Sequence, residues 1–166
     1  MRPSDNSTMI FGCGNLIMGD DGFGPAVIDQ LQTHYDLPVG VAAVDAGTCV
    51  REYLFDYLLM AEGRPEKIIV LDAVDFTDRQ PGEVFEIMPD QIPTKKIHDF
   101  SLHQFPTVNL LQELAENTGI KVQIIAAQIK FIPEEIAPGL SPAMTQAVTE
   151  TCEKLSQILS FKSKTR

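Results

Sequence analysis

The run Met9-Ile10-Phe11-Gly12-Cys13-Gly14-Asn15-Leu16-Ile17-Met18-Gly19-Asp20-Asp21-Gly22-Phe23-Gly24-Pro25 carries an apolar strand through a turn and into a helix. Met9 to Gly12 reads as the strand. Gly22 to His34 reads as the helix, because Phe23, Ala26, Val27 and Leu31 recur at helical spacing. Glycines, an asparagine and two adjacent aspartates crowd the junction between them. Such a junction is ordinarily dry and apolar, or built to cradle phosphate, with glycines letting the backbone approach a ligand. Paired carboxylates repel phosphate and attract a cation, so the turn points to metal recognition.

The same alternation continues along the chain. Val39 to Val44 reads as a second strand ending in Asp45-Ala46-Gly47-Thr48, and Val50, Leu54, Tyr57, Leu58 and Ala61 form a helical stripe. Lys67 to Leu71 is a continuous apolar run, the mark of a central parallel strand buried on both faces. After the Asp78–Gly82 turn, Glu83 to Met88 alternates as an edge strand, and Pro89 to Phe100 reads as a loop. Ser101-Leu102-His103-Gln104 matches a capping box, although Pro106 also suits a helix start. Val122 to Ile132 is the last strand. Ser141-Pro142 opens a final helix that buries Met144, Val148, Cys152, Leu155 and Leu159. Alternating strands and helices predict an α/β fold: a single three-layer domain over residues 1–166, its twisted sheet mostly parallel with an antiparallel edge strand, and helices on both faces. Residues 1–8 and 161–166 are expected to fray.

Composition narrows the partners. The chain has 166 residues, 44% of them apolar, and 23 acidic against 13 basic side chains for a net charge of −10. That balance argues against nucleic-acid or anionic-membrane partners, which require a basic footprint. No apolar stretch is long enough to span a bilayer, and Met1 to Thr8 lacks the apolar core of a signal peptide. Cys13, Cys49 and Cys152 form no CxxC pair and no even framework, so a reducing cytoplasm fits them. No contiguous apolar surface patch is evident, and a monomer is expected.

Ligands of open parallel sheets bind beyond the carboxyl ends of the strands. Asp21, Asp72 and His103 fall at such places, and two carboxylates with an imidazole suit a divalent transition metal such as nickel or zinc. On residues alone the rival readings stand beside this one: Asp21 as a helix N-terminal carboxylate, Asp72 as a turn cap, His103 as a structural histidine. Other chemistries lack their motifs. Gly12-x-Gly14 begins a dinucleotide fingerprint, but Ile17 occupies the third glycine position. There is no GxxxxGK loop, no HExxH and no GxSxG. Cys49, paired with His103 as base, is a candidate nucleophile, but it reads more simply as a buried structural cysteine.

Gly12-x-Gly14-Asn15 with Asp20-Asp21-Gly22-x-Gly24 resembles the N-terminal signature of the [NiFe] hydrogenase maturation endopeptidases. Asp45-Ala46-Gly47-Thr48, Asp72-Ala73, Ser101-Leu102-His103-Gln104, Ile132-Pro133-Glu134 and Gly139-Leu140-Ser141-Pro142 follow in matching order, from about Met9 to about Leu159. Phe100 to Thr107 and the Asp-Asp-Gly-Phe-Gly-Pro run look most like the branch that matures the deazaflavin-reducing hydrogenase of methanogens.

The resemblance implies a cytoplasmic endopeptidase that removes the C-terminal extension of a hydrogenase large-subunit precursor once nickel is inserted. It places Asp21, Asp72 and His103 as metal-binding and catalytic residues and adds Asp45 as a further acid or base. The family often carries glutamate where Asp21 stands, so the ligand oxygen here lies about one methylene further in. Gly14, Asn15, Gly47 and Thr48 are the expected substrate-facing positions, and Asp20 is expected to support the turn. Nickel is expected to arrive with the precursor, with other divalent metals able to occupy the site in vitro. A non-cleaving nickel-sensing or chaperone module for the precursor is the alternative.

Overall fold

The computed structural model describes residues 7–89 and 105–165, so the expected helix cap Ser101–Gln104, with His103 in it, lies outside the described residues. Thr8–Cys13 forms β1, and after a 3-10 turn at Gly19–Gly22 the chain enters α1, Phe23–His34. Tyr35–Asp36 is β2, Val41–Gly47 is β3, Val50–Leu59 is α2 and Lys67–Val74 is β4. Val84–Ile87 is β5, Phe105–Thr118 is α3, Lys121–Gln128 is β6, Pro142–Ile158 is α4 and Lys162–Ser163 is β7.

Among the described residues, five strands form one sheet in the order β3-β1-β4-β6-β5. All neighbours run parallel except β5, which lies antiparallel to β6 at the edge. The fold is thus the mostly parallel α/β layer structure that the alternation predicts. The two-residue periodicity of strands divides the core. Met9, Phe11, Ile68 and Val70 face α2 and α3, while Ile10, Ile69 and Leu71 face α1 and α4.

Connectivity decides where a site can open. From β1 the chain passes through α1 to β3 on one side, then crosses by α2 to β4 on the other. The winding reverses between β1 and β4, and such a reversal leaves a crevice at the strands' carboxyl ends. Two glycines seat α1 tightly over it. A Cβ at Gly24 would lie 2.3 Å from the Cys13 carbonyl oxygen and 2.6 Å from that of Leu71, and one at Gly12 would lie 2.5 Å from the Gly24 oxygen.

Several boundaries differ from expectation for physical reasons. β4 runs three residues past Leu71, because β6 pairs with it as far as Val74–Gln128. Asp72 therefore lies inside the strand. The expected last strand stops at Gln128, although the apolar run continues. Beyond it, the Lys130 N–H donates to the Asp20 carboxylate at 2.9 Å instead of to a strand, and Phe131 is exposed.

Val39 is also exposed, and β3 begins two residues later. Of the expected frayed N-terminal stretch, Thr8 belongs to β1 and the Ser7 carbonyl accepts from the Glu66 and Lys67 N–H groups. The C-terminal stretch, also expected to fray, pairs as β7 with β2. Phe161 is buried edge-on against Tyr35, and the Lys164 N–H and ammonium cap the His34 and Gln32 carbonyls of α1 at 2.7 Å each. As expected, Ser141 caps α4, its hydroxyl accepting from the Met144 N–H at 3.3 Å.

Candidate functional site

Asp21 and Asp72 reach the crevice between β1 and β4 by different routes. Asp21 rides on the 3-10 turn that follows β1. Asp72 stands near the carboxyl end of β4. Strand alternation aims Asp72 to the α2 and α3 side, with Val70 and Val74, while Leu71 and Ala73 face the other way. The carboxylates are only 4% and 5% exposed, too little for water to solvate two charges.

The Asn15 N–H donates to Asp21 Oδ2 at 2.9 Å. Asp72 Oδ1 is buried and accepts no hydrogen bond from the described residues. Burial, and then the charge of Asp21, push the Asp72 carboxyl up to about 8, with the Ala73 N–H pulling the other way. Without a cation, the folded protein therefore keeps a proton on Asp72 near neutral pH.

This donor set fits a divalent cation. A cation between the two carboxylates would satisfy the orphaned oxygen and cancel the repulsion that raises Asp72. Among the described residues no group of three His, Cys, Asp or Glu side chains forms a metal-binding cluster. The expected third member, His103, lies outside the described residues.

Asp45 is placed differently. It is exposed at the end of β3, and its Oδ1 accepts from the Gly47 N–H at 2.9 Å. It lines a cavity of about 560 Å³ with Leu16, Pro25 and Asp29, on the α1 side of the sheet. Of the four expected catalytic residues, the described structure brings Asp21 and Asp72 together. Asp45 forms a turn on the opposite face from Asp72.

The expected substrate-facing residues gather beside the pair. The Gly14 N–H donates to the Gly47 carbonyl at 2.9 Å, tying the loops after β1 and β3. Gly14 has φ +126°, and a Cβ there would lie 1.9 Å from the Asp21 carbonyl oxygen. Glycine at this position is required by the turn itself. Asn15 is half-buried, its Oδ1 accepting from the Ile17 N–H, and Thr48 is exposed.

The two buried cysteines make poor nucleophiles. Burial, then the charges of Asp72, Asp45 and Asp21, hold the Cys13 thiol well above its ordinary range. Burial likewise pushes the Cys152 thiol up to about 12. Cys49, expected to be buried, is exposed at the start of α2.

Sequence reasoning missed the partners of Asp20, which are the Lys130 N–H and both donors of Ser141. Its one signal was the Gly139–Pro142 element, more than a hundred residues away in the chain and without any mark of contact.

Comparison with known proteins accords with this fold. Residues 25–158 match the family model described as hydrogenase maturation protease. The chain is 40% identical over 146 residues to a Methanocaldococcus jannaschii protein provisionally named as a hydrogenase maturation protease, covering 87% of this chain and 91% of that one. It is 30% identical over 161 residues to coenzyme F420 hydrogenase subunit delta of Methanothermobacter thermautotrophicus, covering 95% and 94%. The fold is shared with the hydrogenase maturating endopeptidase HybD from Escherichia coli, at a TM-score of 0.75, 20% identity and coverage of 94% and 95%. The fold and a family match over most of the chain agree, and the protein belongs to the hydrogenase maturation protease family.

Proposed function

We propose that this peptidase removes the C-terminal extension of a [NiFe] hydrogenase large-subunit precursor in the cytoplasm, and that it reads the nickel its substrate carries. The observation that carries the reading is the buried Asp21–Asp72 pair with the orphaned Asp72 Oδ1. Two close carboxylates without a cation are costly in the apo protein. They become favourable when a substrate brings a divalent metal between them.

Asp21, Asp72 and His103 are the residues we assign to that metal. Bound there, nickel supplies Lewis acidity toward a carbonyl or a water. The chain's own groups supply the rest. Asn15 aims Asp21 through its backbone N–H, and Asp72 gives up its proton as the cation arrives. Gly47, half-buried and with nothing within 4 Å of where a Cβ would stand, offers a side-chain-free place beside which an extended substrate backbone can lie. Cys13, the cysteine whose thiol feels both the Asp21 and the Asp72 charge, is held as a thiol and is unsuited to a thioester route.

The test is cleavage of purified precursor loaded with nickel or kept free of it. Conversion to mature size on a gel is expected with the loaded form alone. Equal cleavage of nickel-free precursor overturns nickel reading, and binding without a size shift overturns the peptidase assignment.

A further inference from the structure

Asp20 and Asp21 are adjacent, chemically identical and almost equally buried, at 2% and 4% exposure, yet their carboxylates do unrelated things. Asp20 turns away from the crevice into the connection between β6 and α4. Its Oδ2 accepts from the Lys130 N–H at 2.9 Å and the Ser141 hydroxyl at 2.9 Å, and its Oδ1 accepts from the Ser141 N–H at 2.7 Å. Three donors converge on one carboxylate across more than a hundred residues of chain. Charge-assisted bonds of this kind are roughly twice as strong as neutral ones.

The backbone repeats the connection. The Gly19 N–H donates to the Ala137 carbonyl at 2.9 Å, and the Ala137 N–H donates to the Ile17 carbonyl at 3.0 Å. Gly19 sits so close that a Cβ there would lie 2.9 Å from Pro133 Cδ.

The other side of the turn is held by the Asn15 N–H on Asp21 Oδ2 and by the Asp21 carbonyl packed over Gly14. The turn is thus clamped from two sides, and the two clamps meet at the Asp20–Asp21 peptide. From this geometry we infer that Asp20 is a positioning residue: by anchoring the turn to Lys130 and Ser141, it fixes the direction in which the Asp21 carboxylate enters the crevice. Ser141 serves two ends at once, since the hydroxyl that donates to Asp20 also accepts from the Met144 N–H and caps α4. The position of Asp21 is therefore set by a helix start at the far end of the sequence. The inference rests on Asp21 being a working carboxylate of the proposed reaction.

An amide report on Asp21 tests it without metal or precursor. In Asp20→Asn the amide oxygen can still accept on one side, but the amide NH2 faces a donor that the carboxylate accepted from, so the anchor is weakened while size is kept. Hydrogen exchange of the Asn15 amide, followed by NMR in the metal-free protein, should accelerate at least about tenfold relative to the β4 and β6 amides. Nickel-loaded precursor should then be processed with kcat lowered about 10- to 100-fold and KM within about threefold of the parent.

Ser141→Ala keeps both backbone donors and should show the same changes at smaller size, which serves if Asp20→Asn does not fold. Asn15 exchange that tracks β4 and β6 in both variants, whatever their Tm, overturns the positioning role and leaves the functional reading intact. An Asp21→Asn variant that processes precursor at the parent rate overturns the functional reading instead, and Asp20 then positions nothing that reacts.

Discussion

The carboxyl end of β1 and β4 and the sheet edge at β5 handle acidic side chains in opposite ways. At the edge, Glu83 meets the Arg79 guanidinium at 2.6 Å and Glu86 meets the Lys154 ammonium at 2.9 Å, all with a third or more of their side chains in water. Arg79 also stacks over Phe85, 4.2 Å from the ring centre. Asp21 and Asp72 in the crevice, and Asp20 facing away from it, are almost wholly buried, and neither Asp20 nor Asp72 forms an ion pair among the described residues. Asp20 is satisfied by three neutral donors, Asp21 by at least one, and Asp72 Oδ1 by none. The surface pairs contribute little, whereas the unsatisfied, buried Asp72 oxygen is costly. A fold selected for stability alone would do the reverse. The difference marks the crevice as the place where the fold leaves a destabilising group uncompensated.

That contrast can be broken in order of expected size. Asp72→Asn, or His103→Ala, should reduce processing of nickel-loaded precursor by at least about a hundredfold with the fold retained; normal cleavage by either variant removes that residue from the metal-binding set. Gly14→Ala should cost about 2 to 5 kcal/mol, read from the urea midpoint, because the site demands both φ +126° and space that the Asp21 carbonyl occupies. A midpoint within error of the parent would show that the turn has other ways to close.

The third prediction concerns pH. Folding moves the Asp72 carboxyl from its ordinary 3.8 to about 8, so between those values the folded state holds a proton that the unfolded state has lost. Stability from that proton is complete below about pH 4 and is lost as pH rises to about 8. In metal-free buffer, Tm of Asp72→Asn should exceed that of the parent by a margin that widens from pH 5 to pH 8. A constant margin would show that the carboxylates do not strain the fold. Smallest is the edge: Lys154→Ala should change stability by less than about 1 kcal/mol, and by less again in high salt.

Much of this was legible beforehand, for identifiable reasons. Ile68 to Leu71 announces a central strand because burial on both faces leaves no polar position in the run after Lys67. The Ser141-Pro142 cap is local chemistry and is read locally. Boundaries failed where a distant partner set them. β6 ends at Gln128 because Asp20 captures the Lys130 N–H, and the basic tail is ordered because α1 offers it free carbonyls. Asp45 was grouped with the site by a motif, but strand alternation turns it to the side of the sheet away from Asp72.

The sequence by itself determined the layered α/β class, the glycine-bound turn after the first strand and the residue types able to meet a metal. Periodicity, turn chemistry and ligand chemistry are properties of short stretches. Only the tertiary structure decided that winding reverses between β1 and β4, that Asp72 is buried within reach of the Asp21 charge with an oxygen unsatisfied among the described residues, and that neighbouring Asp20 serves a loop more than a hundred residues away. Two aspartates side by side look alike in a chain. They part company because a 3-10 turn points adjacent side chains about 120° apart, and what waits in each direction is supplied by the rest of the fold.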